Sequence, residues 1–93
     1  MPEYRRLRIK GGCYFFTVAL ANRNSSLLID HIALLRASVV RARQLMPLEI
    51  DVWVVLPEHL QAIWTLPEGD DDYPRRWTAI KTLFSRGISK GEP

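Results

Sequence analysis

The chain has 93 residues, 47% of them hydrophobic and 25% charged, and a formal net charge of +3. That is enough for one small core of ordinary globular composition, and it excludes a low-complexity or disordered protein. No apolar run approaches the roughly 20 residues of a membrane span, and no apolar stretch with a cleavage site follows the charged N-terminus, so neither a membrane anchor nor a signal peptide is expected and the protein reads as cytoplasmic.

The elements, in chain order, make one domain over 1–93, with a basic arm over 1–12 and a tail over 88–93. Arg5, Arg6, Arg8 and Lys10 crowd the arm. Such a cluster suits sequence-independent phosphate contact, although solubility alone accounts for many basic arms. Gly11-Gly12 breaks the chain ahead of Cys13-Tyr14-Phe15-Phe16-Thr17-Val18-Ala19-Leu20, whose aromatic and β-branched content predicts a largely buried strand. The single cysteine, Cys13, excludes an internal disulfide and reads as a small strand residue. The Gly pair lacks the Lys and the helix start that a phosphate-cradling loop requires.

Asn22 to Ser26 is turn-forming and leads into a periodic segment from Leu28 to Leu45. Ile32, Leu35, Val39 and Ala42 recur at helical spacing, with Arg36, Arg41 and Arg43 off the stripe, so this segment is an amphipathic helix. Asp30, Ser25 or Ser26 can cap it, and Pro47 marks where it has stopped. His31 near its start has no ligand partner at helical spacing and reads as a surface or satisfied histidine.

Residues 51–66 read as a hairpin: Trp53-Val54-Val55, a break at Leu56-Pro57-Glu58, and a second strand through Ile63-Trp64-Thr65. Alternation places His59 and Gln61 on one face, with Leu60 and Ala62 on the other. Pro67-Glu68-Gly69-Asp70-Asp71-Asp72 lacks the oxygen spacing and closing Glu of a calcium loop and reads as acidic residues ahead of a helix N-terminus. Pro74 suits the first helical position, Trp77, Ile80 and Phe84 trace a buried face, and Gly87 marks the expected end. Arg75, Arg76, Lys81 and Arg86 are read as lying on or beside the exposed face.

The order strand, helix, strand, strand, helix is that of an α+β ferredoxin-like sandwich whose fourth strand is missing: an antiparallel sheet with two helices packed on one face. The missing strand would cover the outer side of the first. That exposed edge predicts a homodimer formed by strand pairing or exchange.

The run Val54-Val55-Leu56-Pro57-Glu58-His59-Leu60-Gln61 resembles the motif of the single-tyrosine HUH transposases, especially the REP-associated tyrosine transposases, in which two His flank one hydrophobic residue. Tyr14-Phe15-Phe16-Thr17 resembles their opening strand, and Arg76-Trp77, Ile80-Lys81 and Phe84-Ser85-Arg86 resemble the helix after the hairpin. The likeness runs from Tyr4-Arg5-Arg6 to about Glu92. It implies a protein that handles single-stranded or hairpin DNA with a divalent metal, magnesium or manganese, held by the motif pair, here His59 and Gln61. DNA contacts are expected from Arg5, Arg6, Arg8, Lys10, Arg76 and Lys81.

Two departures touch the chemistry. Gln61 stands where the family has its second His, and a neutral amide is the weaker ligand. The family's nucleophilic tyrosine lies on a helix beyond the last residue here, so none of Tyr4, Tyr14 and Tyr73 inherits its role and the chain is expected to be catalytically inactive by itself. The competing reading is a dimerising structural remnant with no nucleic-acid function. An RNA-binding module ranks last, because the Gly- and aromatic-rich signature on its central strand is missing.

Overall fold

The computed structural model describes residues 9–89. Its elements are β1 (Cys13–Ala19), α1 (Leu27–Asp30), α2 (Ile32–Leu45), β2 (Glu49–Val55), β3 (His59–Thr65) and α3 (Tyr73–Ser89). The strands form one antiparallel sheet in the order β1-β3-β2, with β3 in the middle and β1 at an edge. This is the predicted α+β arrangement.

Alternation in β3 sets the layers. Leu60, Ala62 and Trp64 are buried, whereas His59, Gln61, Ile63 and Thr65 are only partly so. In β1, Tyr14 and Phe16 turn inward with them while Phe15 remains half-exposed. The helices cover the inward face. Trp77 stacks on Trp64 with centroids 4.4 Å apart, and Phe16 meets Trp77 edge-on at 5.3 Å. Each large ring taken out of water contributes roughly 1.5–3 kcal/mol, and well-placed pairs add about 0.5–1.5 kcal/mol more. Leu35, Val39 and Ala42 from α2 and Ile80 and Phe84 from α3 complete this core, as the helical spacing predicts.

The first helical segment is divided. His31 has φ −117° and ψ 36°, outside the helical basin, and separates a single turn, α1, from α2. A polar collar holds that turn: the Leu27 N–H donates to the Ser25 hydroxyl at 3.0 Å and the Ser26 hydroxyl to Asp30 at 2.6 Å. The Leu28 N–H reaches the Pro57 carbonyl in the hairpin turn at 3.2 Å.

Gly87 does not end the last helix. It lies inside α3, where a Cβ would fall 2.5 Å from Leu34 Cδ1, so its bare backbone is what lets α2 and α3 approach. Ile88 and Ser89, expected in a tail over 88–93, are helical, and Ile88 packs on the core.

Gly11 has a φ of +68° and donates its N–H to the Asp70 carbonyl at 2.8 Å, in a turn that glycine adopts without steric cost. Asp72 Oδ1 accepts the Arg75 N–H at 3.2 Å at the start of α3, a capping hydrogen bond from the acidic run that was read as lying ahead of a helix N-terminus.

Candidate nucleic-acid and metal site

His59 opens β3 and Gln61 follows two residues on, so both project from the face opposite the helices. Gln61 lies between Thr17 of β1 and Val54 of β2, and His59 pairs with Ala19 of β1. The predicted pair therefore shares an uncovered surface, with the half-exposed Phe15, Val52 and Val54 around it.

The residue before the histidine was not singled out from sequence. Glu58 belongs to the turn rather than the strand, so strict alternation does not send it to the opposite face. Its Oε1 lies 2.7 Å from His59 Nδ1, and Arg23, itself largely exposed, approaches the same oxygen at 3.6 Å. The Glu58 backbone is fixed as well, because its carbonyl accepts the Leu20 N–H at 2.8 Å. The hydrogen bond with His59, opposed by desolvation and helped by Arg23, holds the Glu58 carboxyl below its usual pKa. The available signal was Glu58 adjoining a candidate ligand in a Pro-initiated turn.

The candidate DNA-contacting cations among the described residues, Lys10, Arg76 and Lys81, do not form one patch. Arg5, Arg6 and Arg8 lie outside the described residues. Lys10 is exposed in the turn before β1, beside Cys13 at the Thr65 end of the sheet, whereas His59 pairs with Ala19 at the other end. Lys81 is partly buried along an apolar groove of about 340 Å³, with Leu20, Leu28, Ile80, Phe84 and Ile88, and desolvation lowers its pKa.

Arg76 corrects the sequence reading. It is 2% exposed, not on the outer face of its helix. Its guanidinium donates to both Asp70 carboxylate oxygens at 3.2 and 2.9 Å, to the Asp72 carbonyl at 3.1 Å and to the Pro47 carbonyl at 2.7 Å. Those bonds clamp the α2–β2 and β3–α3 connections together and turn the group inward. Asp70 is held below the ordinary carboxylate range, chiefly by the side-chain hydrogen bond from Arg76.

Neither described tyrosine faces the pair. Tyr14 is buried on the helix-covered side, its hydroxyl accepting the Ile9 N–H at 2.6 Å and donating to the Ile9 carbonyl at 2.8 Å. Tyr73 packs against Tyr14 and Phe16 there, at 4.9 and 5.4 Å. Among the described residues no three His, Cys, Asp or Glu side chains come together to hold a metal ion. One imidazole and one amide on a single face suit a divalent cation that keeps the rest of its shell as water or phosphate oxygen, as magnesium commonly does. The residues present fit such an ion as a partial site, not a closed cage.

No family model matches the chain. It is 54% identical over 85 residues to a REP-associated tyrosine transposase of Escherichia coli, covering 91% of this chain and 52% of that one. A relative of the same family name from Haemophilus influenzae is 39% identical over 90 residues, covering 97% of this chain and 51% of the relative. A solved structure of the REP-associated tyrosine transposase bound to a REP hairpin superposes with a TM-score of 0.91 at 52% identity, over 96% of this chain and 54% of that one. The chain thus spans about half the length of the relatives it matches. By sequence and by fold, it belongs with the REP-associated tyrosine transposases.

Proposed function

We propose that this chain is a transposase-like DNA-binding unit that receives single-stranded or hairpin DNA on the uncovered face of its sheet, at the His59 end. The observation that carries the reading is the near-coincidence of its fold, at 52% identity, with a transposase bound to a DNA hairpin. His59 and Gln61 would hold magnesium or manganese. When bound, that ion supplies charge neutralisation on phosphate oxygens. Arg23 adds positive charge beside the pair, Lys10 meets phosphates farther out, and Lys81 does so at the groove.

The same reading makes the chain inactive in strand cleavage by itself. Cleavage through tyrosine requires a phenol within reach of the scissile phosphate, and the tyrosines among the described residues, Tyr14 and Tyr73, lie under the other face of the sheet. Incubation with labelled hairpin DNA and manganese should leave no covalent adduct. An adduct would contradict this part of the proposal.

The binding test is the affinity for a REP-like hairpin with a single-stranded flank, measured across salt concentrations. With about four phosphate contacts, log K should fall with log salt at a slope of roughly −3. Affinity independent of salt, or no binding at low salt, would favour the structural-remnant alternative. That alternative draws on one observation, the edge position of β1, through which a second copy can pair.

A further inference from the structure

We infer that Glu58 is a positioning residue that fixes the tautomer of His59, placing the proton on Nδ1 and leaving Nε2 as the nitrogen free to take a ligand. The inference rests on the proposed ligand role of His59 and specifies which of its atoms serves that role.

The argument is one of hydrogen-bond inventory. A carboxylate has no proton to give, so the 2.7 Å contact between Glu58 Oε1 and His59 Nδ1 requires Nδ1 to be the donor. A neutral imidazole carries one N–H, and with Nδ1 protonated the lone pair belongs to Nε2. The carboxylate is itself held in place: Arg23 lies 3.6 Å from the same oxygen, and the Glu58 backbone is tied to Leu20. Both partners of the 2.7 Å contact are about four-fifths buried in their side chains, so water competes poorly for it. A carboxylate behind a histidine in this way also orients the ring and raises its basicity toward a metal.

The test is the tautomer of His59, read from long-range proton–nitrogen NMR correlations of the full chain without metal, at a pH well above the ordinary imidazole range. His59→Ala assigns the signals and His31 serves as reference. The wild-type chain should show His59 protonated at Nδ1. In Glu58→Ala the proton should shift toward Nε2, the site an isolated imidazole prefers, and Glu58→Gln, whose amide oxygen still accepts, should keep part of the Nδ1 form. A wild-type ring protonated at Nε2, or a Glu58→Ala ring unchanged from wild type, would overturn the inference. Circular dichroism of each variant separates these outcomes from unfolding. Titration with manganese chloride alone provides the second readout: Glu58→Ala should bind about 10–100-fold more weakly than wild type. Equal affinity would count against Glu58. No binding by the wild type would remove the metal reading while leaving the tautomer result to decide the role of Glu58.

Discussion

Arg75 and Arg76 are neighbours with opposite surroundings: the first has a side chain 77% exposed, the second 2%. Position on the helix explains it, because Arg76, Ile80 and Phe84 follow at intervals of four and share the stripe that meets the core. That spacing was available in the sequence. What spacing does not report is that Asp70 and two backbone carbonyls wait at the end of that stripe. Asp70→Ala should therefore leave a buried guanidinium short of its counter-charge and cost about 3 kcal/mol in chemical denaturation. The pH dependence has a definite sign. Since Asp70 titrates below its unfolded value, its contribution is complete above the ordinary aspartate pKa and is lost as pH falls through the lowered folded value. Asp70→Asn should flatten that acid-side loss in thermal melts. An unchanged profile would remove Asp70 from the account. That His59 and Gln61 share one face, by contrast, was legible because strand alternation is strict, and Gln61→His should tighten any manganese binding by replacing an amide with a better ligand.

At the scale of elements, periodicity located the strands and both principal helices, and tertiary contact set their ends. Glycine is a common helix terminator, yet Gly87 is crossed by α3 because Leu34 occupies the space a side chain would need. The break at His31 was equally hidden, since the apolar spacing runs on through it. Gly87→Ala gains about 1 kcal/mol in helix propensity but faces a cost of roughly 1–3 kcal/mol from the overlap with Leu34. A net loss near 1 kcal/mol is expected, and in a Leu34→Ala background the same change should become stabilising. A double-mutant cycle reads this reversal directly. Additive effects would mean that the two helices do not pack at this point.

For the whole molecule, sheet order and single-sided helix packing among the described residues leave, besides the β2 edge, two surfaces expected from the sequence: the β1 edge and the sheet face bearing His59 and Gln61. The ordering of elements was enough to anticipate both. Less legible was the distribution of charge, because Lys10, Arg23, Arg76 and Lys81 come from segments whose relative placement only the fold decides. The edge predicts self-association, detectable as a concentration-dependent mass in sedimentation equilibrium. A constant monomer mass into the high micromolar range would count against pairing through β1. The other surface is the proposed DNA site. The most direct test is to add a REP-like DNA hairpin to isotope-labelled full chain and map the backbone and side-chain NMR shifts. Changes should concentrate on Thr17, Arg23, His59 and Gln61, whereas shifts confined to the outer faces of α2 and α3, or none at all, would contradict the account.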